Sequence, residues 1–243
     1  MAAILPTDEV AEPPQHGFRG DVPGERARQP RGLTIAISRE AGARGTTIAH
    51  KVGELLGWPV FDQEMLDQLL VNEAGREQLL SELPEGTQAW IDEECENLNR
   101  GRSAKANAEM RGAIRLVLAV AARGEAVIVG RGAGFFLPTE TTLHVRIVAP
   151  FESRVNYLAQ SMRLARDEAA VEVRTRDERR ANYLHRTLLR EPGDSTGYDL
   201  LANSTRLGVE GTVQLIASAI RTKQQFAELG EPPAAAGLDD FTA

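Results

Sequence analysis

One glycine-containing turn has residue types that can bind phosphate. It runs Ser38-Arg-Glu-Ala-Gly-Ala-Arg-Gly-Thr-Thr47, between a short apolar run and an amphipathic stretch. Gly42 and Gly45 permit a tight backbone path that larger residues would block. The amides at the start of the following helix can bind an anion, because the helix dipole leaves partial positive charge at that end. Thr46 or Thr47 can cap the helix or offer a hydroxyl to Mg²⁺.

Compared with the P-loop consensus G-x-x-x-x-G-K-S/T, this turn lacks the lysine. Arg39 and Arg44 stand at the two glycine positions, Gly45 stands at the lysine position, and Thr46 matches the hydroxyl position. An arginine can replace the lysine's charge on the phosphate oxygens, with bidentate geometry and a longer reach. Arg44 or Arg39 could therefore do so. An ordinary strand–turn–helix connection explains the motif equally well when it is taken alone.

Arginine is concentrated in one segment of an otherwise acidic chain. The net charge is −7, which argues against a general nucleic-acid binder. Residues 154–190 nevertheless contain nine arginines and no lysine, opposed by five acidic residues. This cluster indicates a local anionic partner, although a solvated helix with many ion pairs remains an alternative.

Composition and length suit a single folded domain. The chain has 243 residues, of which 42% are hydrophobic, and no apolar run reaches the roughly 18–20 residues that span a bilayer. Cys95 is the single cysteine and nothing resembles a secretory signal, so we expect a cytoplasmic protein without membrane association. Residues 1–31, with five prolines, and 222–243 are predicted to be disordered tails around a domain at 32–221.

The segments that must position the turn alternate between strand and helix patterns. Short apolar runs predict strands at 33–37, 58–61, 126–129, 143–148 and 198–202. Helical spacing predicts helices at 46–56, over 63–123 with breaks near Gly75, Pro84 and Gly101, over 151–190 as two helices, and at 209–220. The alternation predicts an α/β fold in three layers, a five-stranded parallel sheet covered by helices on both faces.

Three candidate sites then lie at one edge of this sheet. The turn after Ile37, Asp62, and Gly130-Arg-Gly132 each follow a predicted strand, and parallel sheets bind ligands at the carboxyl ends of their strands. Simpler roles remain open, since Arg131 could pair with Glu125 or a carbonyl, and Asp62 could cap a helix. His50 and His144 are interpreted as structural.

Five segments keep their order and rough spacing over residues 32–221. They are Thr34-Ile-Ala-Ile-Ser-Arg-Glu40 with Gly42-Ala-Arg-Gly-Thr-Thr-Ile-Ala49, Leu56-Gly-Trp-Pro-Val-Phe-Asp62, Val127-Ile-Val-Gly-Arg-Gly-Ala-Gly134, Arg176-Asp-Glu-Arg-Arg180 and Tyr198-Asp-Leu-Leu-Ala-Asn-Ser-Thr205. Together they resemble the cytidylate kinase-like proteins, in the P-loop nucleoside monophosphate kinase group. These proteins tend to lack the P-loop lysine.

The resemblance implies a kinase that uses ATP and Mg²⁺ to phosphorylate a nucleoside monophosphate, CMP or dCMP above all. It implies donor binding by Ser38, Arg39, Gly42, Ala43, Arg44, Gly45, Thr46 and Thr47, with Thr46 touching Mg²⁺. It also implies acceptor binding by Asp62, Gly130 and Arg131, and an arginine-rich lid within 151–190. The catalytic candidates are Arg44, Arg131, Arg176, Arg179 and Arg180.

Two other functions stay open at this point. The missing lysine suggests a nucleotide-binding regulatory module with little turnover, because a shared fold does not establish activity. The second open function is that of a kinase for another small acceptor, phosphorylated or hydroxylated. The helical insert at 63–123 does not match the usual monophosphate-binding insert. Its apolar stripe, Met110, Ile114, Val117, Leu118 and Ala121, could cover the acceptor or form a homodimer interface.

Overall fold

A computed structural model describes residues 32–100 and 108–229. Five strands form one parallel sheet in the order β2-β3-β1-β4-β5. They are β1 (Thr34–Arg39), β2 (Val60–Phe61), β3 (Ala126–Val129), β4 (Thr142–Val148) and β5 (Leu200–Asn203). The predicted parallel five-stranded sheet is confirmed.

Helices connect the strands and cover both faces of the sheet. They are α1 (Gly45–Leu56), α2 (Gln63–Val71), α3 (Glu73–Ser81), α4 (Glu85–Arg100), α5 (Ala108–Arg123), α6 (Phe151–Met162), α7 (Arg166–Leu188) and α8 (Ser204–Leu229). Short 3₁₀ helices at Ala133–Phe135 and Ser195–Gly197 complete the architecture. Within the described ranges, no helix has the length and apolar character to cross a bilayer.

The alternation of side chains along β1 separates two hydrophobic cores. Ile35 and Ile37 belong to a core shared with α1 and α8, whereas Ala36 belongs to a core shared with α4 and α5. This alternation is the ordinary consequence of the two-residue period of a strand. Ser38 therefore lies on the same face as Ala36, and Ile37 pairs in register with Val129 and Val145 on the flanking strands.

The apolar stripe of the insert is covered by the chain itself. Ile114, Val117, Leu118 and Ala121 are buried in a core with residues of α2, α3 and α4, and Met110 packs against that core. Stacking these helices over β3 removes the stripe from solvent. The stripe therefore provides no surface for a second copy of the chain.

Some element boundaries differ from the sequence predictions. Gly75 lies inside α3 and does not interrupt this helix. The break falls at Asn72, whose side chain accepts a hydrogen bond from the Gly75 amide at 3.0 Å and so caps α3. The break at Pro84 is confirmed, because α4 begins at Glu85. The predicted break near Gly101 lies outside the described residues.

The last helix is longer than the 209–220 segment predicted for it. α8 begins at Ser204, is interrupted at Gly208 (φ 69°, ψ 171°), and continues to Leu229, past the predicted domain boundary at 221. Ile216 and Ile220 are buried against the sheet and anchor it. The tail predicted at 222–243 is wrong for residues 222–229, which belong to α8. The rest of that tail, and the tail predicted at 1–31, lie outside the described residues.

Candidate active site

A cavity of about 750 Å³ opens at the carboxyl edge of the sheet. The ends of β1, β3 and β4 form one side of it, and the second half of α7 forms the other. Six arginines line it together with four acidic residues: Arg39, Arg131, Arg146, Arg176, Arg179 and Arg180, with Glu40, Glu172, Asp177 and Glu178. This surplus of guanidinium groups suits an anionic ligand.

Arg39 crosses the turn on its way into the cavity. A Cβ atom at Gly45 would lie 2.6 Å from the Arg39 Cβ and 2.7 Å from its Cγ, so the arginine stem occupies the space beside this glycine. Its guanidinium lies against Gly130, which follows β3. Arg39 therefore spans the distance between the turn and the end of the neighbouring strand.

The electrostatic surroundings of Arg39 leave its guanidinium available to a ligand. Burial and the nearby charge of Arg180 together lower the pKa of Arg39 to about 10, although Asp62 opposes them. The group remains charged at pH 7. Among the described residues, nothing hydrogen-bonds to its buried Nε atom. A buried donor without a partner is costly, which favours an anion that would satisfy it.

Arg44, the other candidate for the lysine's role, lies elsewhere. It caps α1 in the left-handed conformation (φ 59°) and is exposed. Its guanidinium carbon sits 4.8 Å from the centroid of the Tyr157 ring on α6, a cation–π distance. Arg44 is not among the residues that line the cavity. The structure thus brings Arg39 to the cavity and directs Arg44 away from it.

The first half of the turn contacts two charged side chains of the protein itself, Asp177 and Arg154. The Ala41 amide donates to Asp177 Oδ1 at 2.7 Å, and Arg154 donates to the Ala41 carbonyl at 3.2 Å and to Asp177 Oδ2 at 2.5 Å. Gly42 (φ 77°) passes so close that a Cβ there would lie 2.5 Å from the Arg154 carbonyl oxygen. Asp177 thus occupies one amide of the turn.

The second half of the turn opens to solvent at the start of α1. Thr46 and Thr47 are exposed in the first turn of this helix, whereas Ala43 and Gly45 are buried. The first amides of a helix have no partner within it. Within the turn, the residues that line the cavity are Ser38, Arg39 and Glu40. Residues 42–47 are not part of the cavity lining.

The residues predicted to bind an acceptor separate into two places. Gly130 and Arg131 line the cavity. Arg131 forms an ion pair with Asp67 of α2, and among the described residues its buried Nε has no partner. The alternative prediction, in which Arg131 pairs with Glu125, is wrong, because the carboxylate partner of Arg131 is Asp67.

Asp62 lies outside the cavity lining and caps α2. Its carboxylate accepts from the Met65 amide at 3.0 Å and from His50 Nε2 at 3.2 Å. Burial by itself would raise the pKa of Asp62, but these hydrogen bonds outweigh it and the pKa is lowered. The structure thus gives this residue the capping role that the sequence left open.

The three predicted lid arginines lie on the cavity side of α7. Arg176 donates to Glu172 at 2.6 Å, and Arg180 lies 3.5 Å from the Arg39 carbonyl, while Arg179 is exposed. Burial lowers the pKa of Arg180. The first half of α7 is fixed, since Ala169 and Val173 pack into a small core on the turn.

Neither Arg146 nor Arg154 was predicted from the sequence as an individual site residue. Arg146 ends β4 inside the cavity, donating to the Tyr198 hydroxyl at 3.3 Å and lying 3.9 Å from Glu40. The signal for Arg146 was its place in the strand run 143–148, where it alternates with the apolar Val145 and Ile147 and shares the opposite face with His144. Arg154, nearly buried in the first turn of α6, donates to the Ala41 carbonyl and so holds the turn at 38–47.

Ser38 and His144 form a hydrogen-bonded pair on the face of the sheet that also carries Arg146. His144 Nδ1 donates to the Gly197 carbonyl at 2.7 Å, so its Nε2 accepts from Ser38 Oγ at 3.0 Å. Burial lowers the pKa of His144 to about 4, so the imidazole is neutral at pH 7. Phe135 and Tyr198 enclose the ring, with centroids 4.8 Å and 4.5 Å away.

Comparison with known proteins identifies a family relationship and a similar fold. The model of the cytidylate kinase-like family matches residues 34–206. The crystal structure of an uncharacterized protein from Eubacterium ventriosum is 21% identical, with a TM-score of 0.63, and the match covers 78% of this chain and 98% of that one. No curated protein matches the sequence.

Two shikimate kinases are more distant structural matches. The enzyme from Bacteroides thetaiotaomicron is 16% identical with a TM-score of 0.46, over 78% of this chain and 98% of that chain. The enzyme from Acinetobacter baumannii, in complex with shikimate, is 15% identical with a TM-score of 0.42, over 82% and 98%.

Proposed function

The chain belongs to the cytidylate kinase-like family, and from that premise we propose that it transfers the γ-phosphoryl group of ATP to a nucleoside monophosphate, CMP or dCMP above all. The observation that carries this proposal is the position of Arg39, which lies partly buried between the turn at 38–47 and Gly130. Its buried Nε has no hydrogen-bond partner among the described residues. Family membership supports a kinase, and this arginine supplies the charge that the missing lysine would provide. The lone Cys95 fits a cytoplasmic setting.

On the donor side, the amides at the start of α1 would hold the phosphates. Asp177 already binds the Ala41 amide, so the available anion site is the helix N-terminus at Gly45, Thr46 and Thr47. Arg39 would neutralise the bridging oxygens. Mg²⁺ keeps much of its water and binds through phosphates and one or two protein ligands. The exposed Thr46 hydroxyl fits such a ligand, and the ion would supply further charge neutralisation.

On the acceptor side, Arg131 and Arg146 would bind the monophosphate. Both line the cavity, whose volume of about 750 Å³ falls within the usual range for small-ligand sites. Arg176, Arg179 and Arg180 would stabilise the equatorial oxygens as charge spreads in the transition state. For transfer to the monophosphate, the protein would contribute positioning and electrostatic stabilisation, and no covalent intermediate between protein and substrate is required.

Replacement of Arg131 by alanine tests the acceptor assignment. We expect the KM for the monophosphate to rise about tenfold or more, since a charge-assisted hydrogen bond contributes roughly 1.5–3 kcal/mol. The affinity for ATP, measured by calorimetry, should change little. An unchanged acceptor KM would remove Arg131 from the acceptor site.

A nucleotide-binding module with little turnover is the second candidate. The observation that favours it is Asp177 on the Ala41 amide, a carboxylate where a phosphate oxygen could bind. A coupled assay of ADP release across CMP, dCMP, UMP, AMP and GMP separates the two functions. Tight ATP binding without ADP production from any acceptor supports the module, whereas turnover confined to non-nucleotide acceptors supports a different kinase.

The role of Arg39 is tested by comparing two arginine variants. We expect Arg39→Ala to lose kcat by about 10³-fold, because charge stabilisation of a phosphoryl group by arginine is of this order. Arg44→Ala should lose much less, since this guanidinium stacks on Tyr157 outside the cavity. The reverse order of effects would return the lysine's role to Arg44.

A further inference from the structure

The Ser38–His144 pair has the geometry of an activated nucleophile. A nucleophilic serine needs a base within hydrogen-bond reach and a third group that orients the base. Here His144 Nε2 is 3.0 Å from Ser38 Oγ, and the Gly197 carbonyl fixes the ring through Nδ1 at 2.7 Å. Because a carbonyl can only accept, Nδ1 carries the hydrogen and Nε2 presents its lone pair to the serine hydroxyl.

The serine oxygen lies in the wall of the arginine-lined cavity. Ser38, Arg39 and Arg146 all line it, and Arg180 faces them from α7. Such guanidinium groups can stabilise the charge of a phosphoryl group in transfer. His144, by contrast, is 4% exposed and enclosed by aromatic rings, so the serine is the member of the pair that a ligand can reach.

Transfer to a monophosphate does not explain this pair. An acceptor phosphate is already mostly ionised at pH 7, since its second pKa is near 6, and it needs no base. A hydroxyl acceptor does need a base to take its proton. Two hydroxyl side chains, Ser38 and Tyr183, are among the described residues that line the cavity. The Ser38 hydroxyl is hydrogen-bonded to a neutral imidazole, whereas the Tyr183 hydroxyl donates to the Arg131 carbonyl.

We propose that Ser38 is a self-phosphorylation site whose phosphoryl group comes from the donor nucleotide. The Ser38 oxygen forms a bond to the γ-phosphorus, the bond from that phosphorus to the β–γ bridging oxygen breaks, and ADP leaves. The serine proton passes to His144 Nε2. The products are phosphoserine 38 and ADP, with no other reactant. This inference rests on the proposed binding of ATP.

The modification would be slow and would occupy the cavity. With a pKa of about 4 the imidazole is a weak base, and general-base efficiency falls when the pKa lies far below the working pH. We therefore expect a single modification over many minutes instead of rapid turnover. A phosphoserine carries about −1.5 to −2 charge at pH 7. Facing Arg39 and Arg146, it would compete with an anionic acceptor.

Mass spectrometry of the full chain incubated with ATP and Mg²⁺ tests the proposal. Cleavage after Arg31 and Arg39 releases peptide 32–39, whose hydroxyl side chains are Thr34 and Ser38. Thr34 is 1% exposed and serves as an internal comparison. We expect a mass increase of about 80 Da, which is one phosphoryl group, on Ser38. Ser38→Ala should abolish it, and Ser195→Ala, a change in the exposed 3₁₀ helix, should retain it.

Replacement of His144 by glutamine tests the base. Glutamine can still hydrogen-bond to Ser38 but cannot take its proton, so we expect the modification rate to fall on the order of 10²-fold. A thermal melt checks that this variant folds, and Ser38→Ala decides the site if it does not. A rate equal to that of wild type would overturn the role of His144.

The outcomes separate this inference from the proposed function. If calorimetry shows ATP binding and the chain stays unmodified, self-phosphorylation is wrong and nucleotide binding stands. Phosphate found on Thr46 or another residue also overturns the assignment to Ser38. If ATP does not bind at all, the proposed function fails and this inference fails with it.

Discussion

At the residue scale, Arg39 and Gly45 depend on each other. The Arg39 stem fills the space in which a side chain at position 45 would begin, with hypothetical Cβ–Cβ and Cβ–Cγ separations of 2.6 and 2.7 Å. A lysine at the consensus position and an arginine at position 39 therefore exclude one another. In this chain, a cation that the consensus places at position 45 can instead come from position 39 of the same turn.

A double-mutant cycle tests this coupling. Gly45→Lys alone should destabilise the fold by about 1–3 kcal/mol, as overpacking does, and should weaken ATP binding. Arg39→Gly removes the obstacle, so the double variant Arg39→Gly/Gly45→Lys should recover much of both. Urea denaturation and calorimetry give the two coupling energies. Additive effects of the two changes would show that the positions are independent.

His144 predicts how stability depends on pH. Burial lowers its pKa from 6.5 to about 4; the Gly197 hydrogen bond and Asp199 oppose this, and Arg146 reinforces it. Between these values the unfolded chain binds a proton that the folded chain does not, so stability falls as pH falls from about 6.5 to about 4. At about 1.4 kcal/mol per pKa unit, the full loss is about 3 kcal/mol.

Urea denaturation at several pH values measures this loss, with His144→Gln as the comparison. The carboxylates titrate in both proteins, so the difference between the two pH profiles isolates the histidine. We expect the profiles to diverge below pH 6.5 and to run parallel below pH 4. Profiles that stay parallel throughout would mean that the imidazole titrates normally.

At the element scale, α7 both packs against the turn and lines the cavity. Its first half packs Ala169 and Val173 on the turn and α6, and its second half lines the cavity. Asp177 stands at the junction, bound to the Ala41 amide and to Arg154. The predicted lid is thus attached at Asp177 to the turn and to α6.

Two acid-to-amide substitutions compare the Asp177 contact with an exposed one. Asp177→Asn removes the nearer of the two carboxylates that pair with the nearly buried Arg154 and leaves Glu40 at 3.5 Å, and we expect a loss of about 1–3 kcal/mol. Glu152→Gln removes the partner of Arg166, where both side chains are more than half exposed, and should cost less than about 1 kcal/mol. Thermal unfolding measures both. Equal losses would show that Asp177 does not hold the turn.

The sequence predicted the elements better than their ends. Strands such as Ala126–Val129 and the first helix followed from apolar periodicity, because each is fixed by burial on a regular face. The break at Asn72 and the early start of α8 at Ser204 depend on single side-chain contacts. Ser204 Oγ, for example, donates to the Ala43 carbonyl 161 residues away, and no local pattern predicts such a contact.

At the scale of the whole molecule, the parallel sheet explains why the candidate site was partly predictable. Strand ends converge on one edge, so Ser38, Gly130 and Arg131 could be placed together from the sequence. The direction of each arginine could not. Arg39 turns inward and Arg44 outward because of Gly45 and Tyr157, and these neighbours are set by packing between distant elements.

The arginine-lined cavity predicts that anions stabilise the whole fold. A ligand that binds the folded chain alone raises its stability by about 2.7 kcal/mol at a concentration 100 times its Kd. Pyrophosphate resembles the donor phosphates, and we expect it to raise the Tm by several degrees, which follows from the size of the domain. Sodium chloride at the same ionic strength is the control, because it screens charges without filling the site.

Two variants locate the effect of pyrophosphate. Arg39→Ala removes a cavity guanidinium whose buried Nε has no partner among the described residues, as is also true of Arg131, and it should lose much of the rise in Tm. Arg166→Ala removes an exposed arginine outside the cavity and should keep the rise. An equal rise in both variants, or an equal rise with sodium chloride, would mean that the anion acts on the general surface. The cavity would then lose the electrostatic basis on which its assignment as a phosphate site depends.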